Sequence, residues 1–188
     1  MNRHCRSRIE AAPGFFLLIA LLFYLDSSGI VLLSLLACLL HELGHCAALL
    51  ILGNDIKRIT LSAFGASIEP AAPMSALEEF LIAGAGPGVN LILAVLSARV
   101  PEGNTFAGVN LALAVFNLLP VWQLDGARIL RCVLECLMFE THAAKISGCL
   151  DFCFTLIFAG AGFVLSLNYG NLTLLLMCLW LAFRRRGE

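Results

Sequence analysis

Residues Ile30 to Leu52 form an apolar run, and within it stand His41-Glu42-Leu43-Gly44-His45. A spanning helix needs about 20 apolar residues. A bilayer core accepts only backbone whose hydrogen bonds are satisfied internally. The run is therefore expected to be a membrane helix. Two imidazoles and a carboxylate at that depth are costly, and such groups mark function by default. On a helix, residues four apart lie about 40° apart around the axis, so both rings face one way. Glu42 projects about 60° from His45 by the same geometry, near enough to reach a water on a metal held by the rings. His-Glu-x-x-His on a helix is a metal-binding and water-activating arrangement.

Composition supports a membrane setting for the whole chain. Its 188 residues are 60% hydrophobic and 13% charged, against about 25% charged in a soluble domain. A net charge of −1 gives no sign of nucleic-acid binding. Arg3, Arg6 and Arg8 precede the first apolar stretch, and no small-residue cleavage site clearly follows it. That stretch is expected to be a retained anchor rather than a removed signal peptide. Of the 8 cysteines, Cys38, Cys46, Cys149, Cys153 and Cys178 lie in apolar segments, and no Cys-x-x-Cys occurs. They read as packing thiols.

Taken in order, the chain predicts an all-α polytopic membrane protein of about six transmembrane helices. The spans are Ala12 to Leu25, Ile30 to Leu52, Phe80 to Val100, Phe106 to Leu124, Gly148 to Leu167 and Leu172 to Phe183. Asp26-Ser-Ser-Gly29 makes the first turn, and Gly53-Asn54 ends the second span as such residues end helices. Between the second and third spans, residues 55–73 mix apolar with polar residues and suggest a short strand pair or an interfacial segment. Ser75 and Glu78 have capping-box spacing. Residues 127–139 look amphipathic, with Arg128, Arg131 and Glu135 at helical spacing, and suit a helix on the membrane surface. Arg184 to Arg186 read as a topology anchor.

Six spans put both termini on one side. Of the 12 Lys+Arg, all but Arg99 then fall on that side, which the positive-inside rule makes cytosolic. The expected location is a bacterial-type cell membrane, crossed several times. His41 and His45 lie between the midplane and the cytosolic face. Residues 1–188 are expected to form one membrane-embedded domain.

A catalytic zinc takes three protein ligands and keeps a position for water. Two histidines leave one ligand to find. Glu78 and Glu79 suit a helix start, and Glu135 suits the polar face of the amphipathic stretch. Asp125 follows the fourth span toward the cytosolic side, with Pro120 expected to open or kink that helix and Gly126 adding backbone freedom. Asp125 leads as third ligand on these grounds, with interface capping as its other reading. Asp151, which otherwise caps the fifth span or pairs with Lys145, is the alternative ligand.

Three stretches carry a family resemblance: His41-Glu-Leu-Gly-His45, Gly86-Pro-Gly-Val-Asn90 and Asn117-Leu-Leu-Pro-Val-Trp-Gln-Leu-Asp-Gly126. They resemble, in order, the signatures of the site-2 proteases, intramembrane zinc metalloproteases. Leu124-Asp-Gly-Ala-Arg-Ile-Leu130 is similar to the compact bacterial branch that includes the sporulation sigma-factor-processing protease. Ala127 stands where that branch often has a second glycine. The resemblance implies one zinc per chain on His41, His45 and Asp125, with Glu42 activating water. It implies that Asn117 orients substrate or stabilises developing charge, and that Asn90 supports the site or substrate access. No PDZ or nucleotide-sensing domain is recognised.

The expected function is hydrolysis of a peptide bond in or near a transmembrane segment of a membrane-associated protein. A sigma-factor precursor or an anti-sigma factor would be such a substrate. The expected partners are that substrate and the lipid bilayer. The competing reading is a non-proteolytic membrane metal-binding or transport protein, which internal inverted repeats would favour; none is seen. Gly84, Gly86 and Gly88 read as close helix packing, since no phosphate-loop Lys-Ser/Thr follows.

Overall fold

The computed structural model describes residues 8–62, 65–121 and 124–169. The expected sixth span and the terminal arginines lie outside the described residues. The chain divides into two compact units, Met1–Asn117 and Leu118–Glu188.

In the first unit, strand β1 (Arg8–Ala11) leads into helices α1 (Pro13–Leu25) and α2 (Ile30–Ile51). The hairpin of β2 (Ile56–Ser62) and β3 (Gly65–Pro70) follows, then α3 (Ala76–Ser97), a 3-10 turn at Pro101–Gly103 and α4 (Asn104–Asn117). The second unit contains α5 (Asp125–Leu137) and α6 (Glu140–Tyr169), which pack on each other. By length and composition, Ile30–Ile51, Ala76–Ser97 and Thr141–Val164 are apolar enough to cross a membrane.

Local chemistry explains where α2 begins and ends. Asp26 Oδ1 accepts from the backbone N–H groups of Ser28 (2.9 Å) and Gly29 (3.1 Å), and Oδ2 accepts from Val31 N–H (2.9 Å). These bonds, led by those from Ser28 and Val31, hold the Asp26 carboxyl below the usual carboxylate value. They also supply partners to N–H groups that a helix start leaves over. At the other end Gly53 takes φ 81°, and Asn54 N–H reaches back to Leu49 O at 3.1 Å. That is how a left-handed glycine closes a helix. The α3 capping box forms as expected, with Ser75 N donating to Glu78 Oε2 at 2.7 Å and Glu78 N to Ser75 Oγ at 3.3 Å.

Residues 55–73 do form a strand pair. β2 and β3 are antiparallel, with Ile59 opposite Ile68. Lys57 pairs with Glu69 across the hairpin. Four residues are too few for an alternation pattern, and β1 was missed for that reason. It runs parallel to β2, Arg8 opposite Arg58.

Two further boundaries differ from expectation. The fourth span was expected to reach Leu124 through a kink at Pro120, but α4 stops at Asn117. Proline disfavours helical backbone in the residue before it and brings no N–H. The chain there turns instead, with Val121 N–H donating to Leu119 O at 2.8 Å. At 14 residues α4 is about 21 Å long, short of the roughly 30 Å hydrocarbon core. The fifth span starts earlier than Gly148, because α6 begins at Glu140. Asp151 therefore lies inside that helix and does not cap it.

The core of the first unit is the mutual packing of α2, α3 and α4. The buried stripe of α2 is Ala37, His41, Gly44, His45 and Leu49, the spacing of one helix face. Leu36, Leu39, Leu43 and Ile51 are exposed, as suits a lipid-facing side. Gly44 lets the helices approach. A Cβ there would come within 2.9 Å of Val89 Cγ2 and 3.0 Å of Ala85 O. Small residues serve membrane helix contacts in this way, because packing replaces the missing hydrophobic drive.

Candidate metal centre

His41 and His45 occupy successive turns on the buried face of α2. Their rings are edge to face, with centroids 4.7 Å apart, and their Nε2 atoms stand 3.1 Å apart. On a tetrahedral zinc, with Zn–N near 2.0–2.1 Å, two ligand nitrogens stand about 3.3 Å apart. The two rings therefore fit one zinc with little adjustment.

The orientation of His45 is set by α3. His45 Nδ1 lies 2.7 Å from Ile82 O. A carbonyl only accepts, so Nδ1 carries the proton, and in the neutral ring Nε2 keeps its lone pair. This is the outer hydrogen bond that metal-ligating histidines use to fix tautomer and ring angle. A backbone acceptor carries no sequence signal, and Ile82 could not have been named from residue types.

Gly86 is the second contribution of α3. A Cβ on it would lie 2.6 Å from His45 Cε1 and 2.8 Å from His41 Cε1, and closer still to His45 Nε2. The glycine stretch does pack closely, as expected, but the surface it packs on is the histidine pair. Gly84 and Gly88 would meet nothing within 4 Å, so of the three only Gly86 carries this constraint. Pro87, beside it, is fully buried and α3 continues through it.

Asn90 lies one turn beyond Gly86 and is 0% exposed. Neither its Oδ1 nor its Nδ2 has a hydrogen-bond partner among the described residues. A buried polar group in that condition costs about 1–3 kcal/mol. Asn110, also buried, donates from Nδ2 to Phe106 O at 2.9 Å, and Asn117 donates to Leu113 O at 3.0 Å. Asn117, the last residue of α4, is half-buried.

Glu42, also half-buried, follows His41 directly on α2. In the second unit, Asp125 is the first residue of α5 and is buried. A carboxylate at that position is favoured by the helix dipole. Arg128 NH1 lies 3.9 Å from Asp125 Oδ1, and Arg131 pairs with Glu135 at 2.7 Å on the polar side of the helix. Gly126 is required by its neighbours: a Cβ there would lie 2.5 Å from Leu119 O and nearer still to Leu118. Asp151 is buried within α6.

Two imidazole nitrogens at metal-ligand spacing on a helix long and apolar enough to cross a membrane, with a carboxylate on the adjoining residue, make a candidate metal centre of the membrane metalloprotein class. Residues 104–159 match the model of peptidase family M50. The fold is similar to that of a solved site-2 protease from Methanocaldococcus jannaschii. The TM-score is 0.66 at 26% identity, over 96% of this chain and 89% of that one. The chain is therefore similar to the site-2 proteases in fold and, over residues 104–159, to peptidase family M50 in sequence.

Among curated relatives, a putative zinc metalloprotease of Synechocystis is 37% identical over 107 residues, 50% of this chain and 28% of its own length. Stage IV sporulation protein FB of Bacillus subtilis is 30% identical over 163 residues, 79% of this chain and 56% of its own length. This chain thus spans about half or less of the length of these curated relatives.

Proposed function

We propose that this chain is a zinc endopeptidase acting on a peptide bond in or beside a transmembrane segment of a membrane-associated protein. His41, His45 and Asp125 are its metal ligands and Glu42 its general base. The observation that carries this reading is the 3.1 Å separation of the two buried Nε2 atoms, with His45 held by Ile82. Asp125, buried in its own unit, is the acid assigned here as third ligand, because two imidazoles and one carboxylate are the His/carboxylate chemistry of catalytic zinc sites that keep a fourth position open.

When bound, zinc polarises the scissile carbonyl and lowers the pKa of water to about 7. Glu42 takes the proton of the attacking water and delivers it to the departing amine nitrogen. Asn117 is proposed to turn its carboxamide to the substrate, orienting it or stabilising developing charge. Both termini are proposed to be cytosolic in a multi-pass topology, with residues 1–188 working as one domain. A sigma-factor precursor or anti-sigma factor is the proposed kind of substrate, supported by likeness to the sporulation protein. Transport is disfavoured by the likeness of the fold to a solved site-2 protease.

Metal removal tests the reading. Chelator-treated protein in detergent is expected to lose cleavage of a transmembrane model substrate and to regain it with about one zinc per chain. Asp125→Asn is expected to weaken zinc binding, read by metal analysis after dialysis. Full zinc content in that variant would remove Asp125 from the ligand set. Cleavage unaffected by complete removal of zinc would overturn the whole proposal.

The hairpin supplies a place for an unwound substrate. Among the described residues β3 pairs only with β2, so its outer edge offers backbone groups for strand addition. Replacing residues 57–68 by a Gly/Ser linker is expected to lower cleavage at least tenfold while zinc content holds. Unimpaired cleavage would exclude the hairpin from substrate binding.

A further inference from the structure

Asn90 is spent on nothing that the described fold needs. Its side chain is fully buried, and both ends of its carboxamide lack partners among the described residues. Buried polar groups are nearly always hydrogen-bonded, so each exception calls for a reason. Asn110 and Asn117 show the usual alternative, each donating to the carbonyl one turn back in its own helix. Asn90 makes no such bond.

Its placement supplies the reason. Asn90 is four residues from Gly86 on α3, so the two share a face about 6 Å apart along the axis. Gly86 is the residue whose Cα lies against the His41 and His45 rings. The free carboxamide therefore belongs to the wall that holds the histidines, one helical turn away from them.

A carboxamide with a free N–H donor and a free C=O acceptor is the complement of a peptide group. We propose that Asn90 is a substrate-binding residue that hydrogen-bonds the main chain of the unwound transmembrane segment during cleavage. This rests on the proteolytic reading above. An extended chain rises about 3.4 Å per residue. With the scissile carbonyl at the histidines, a 6 Å offset puts Asn90 at the peptide group about two residues away. Recognition of main chain replaces the helical hydrogen bonds that a segment loses when it unwinds. It also makes no demand on side-chain identity.

The test compares Asn90→Leu, close in size and without polar atoms, with wild type and with Glu42→Gln. The probe is a fluorescent peptide of about 20 Leu and Ala residues with a central Asn-Pro pair, in detergent micelles. Asn90→Leu is expected to keep full zinc and an unchanged or raised Tm, since it removes an unsatisfied group. Its kcat/KM is expected to fall about 10- to 100-fold, the size of a lost hydrogen bond that leaves its partner unmet. In the Glu42→Gln background, the same substitution is expected to weaken probe binding by a similar factor.

Wild-type kcat/KM and probe binding in Asn90→Leu would overturn the proposal. So would a fall in Tm matched by an equal fall in active fraction, which would make Asn90 a structural residue. Cleavage by wild type that Glu42→Gln abolishes keeps the proteolytic reading standing in either case. No cleavage by zinc-loaded wild type would reject that reading instead.

Discussion

Glu42→Gln is expected to keep its zinc and lose roughly 100- to 10,000-fold in kcat, the usual contribution of a positioned acid-base group. Glutamine fills the same space and keeps a carbonyl acceptor, but takes up no proton near neutral pH. Glu42 lies outside the proposed ligand set, so metal content should not follow activity. Zinc stoichiometry by elemental analysis and cleavage of a transmembrane substrate, measured on one preparation, separate the two effects. Hydrolysis near the wild-type rate in the zinc-loaded variant would sink the general-base role. Loss of both zinc and activity would move Glu42 into the metal-binding set.

Gly86→Ala is expected to be nearly as damaging, though it deletes no functional group. The added Cβ would fall within 2.8 Å of carbon atoms of both histidine rings, inside van der Waals contact. The His45 ring cannot simply tilt away, because its Nδ1–H is held by Ile82 O at 2.7 Å. The remaining ways to relieve the clash are shifting α3 outward or breaking that bond, and both disturb the spacing of the Nε2 atoms. A misplacement of about 1 Å at a catalytic site costs on the order of 100-fold in rate. Outer-shell changes at metal sites cost about 10- to 100-fold in affinity. Gly86→Ala should therefore show weakened zinc retention against a competing chelator, and a fall in kcat/KM that excess zinc restores only in part. Gly84→Ala is the control: its Cβ would meet nothing within 4 Å, and it should match wild type. Equal behaviour of the two variants would show that the close packing at Gly86 does not position the rings.

These expectations draw on different levels of information. The His-Glu-x-x-His stretch specified its own geometry, because helical periodicity alone places residues four apart on one face. The capping box at Ser75 and the glycine stop at Gly53 were legible for the same reason, since each is closed by neighbours in the chain. Boundaries that depend on competition were less so. Pro120 could kink a helix or follow its end, and only the folded chain decided for an end at Asn117. The strand β1 was invisible because its partner lies some fifty residues further on.

By itself, then, the sequence determined a chain of apolar helices suited to a membrane, the histidine pair, its adjoining carboxylate and the acids that are candidates for a third ligand. Periodicity, apolar length and local capping act over a few residues, and a single chain displays them openly. Tertiary structure decided what surrounds the pair: Ile82 O on Nδ1, Gly86 against both rings, and Asn90 buried one turn away with its carboxamide unspent. Those are contacts between helices, one through a backbone carbonyl and one through the absence of a side chain. The carbonyl has no residue-type signature and the glycine read only as close helix packing, so it took the packing of α3 on α2 to bring them to His41 and His45.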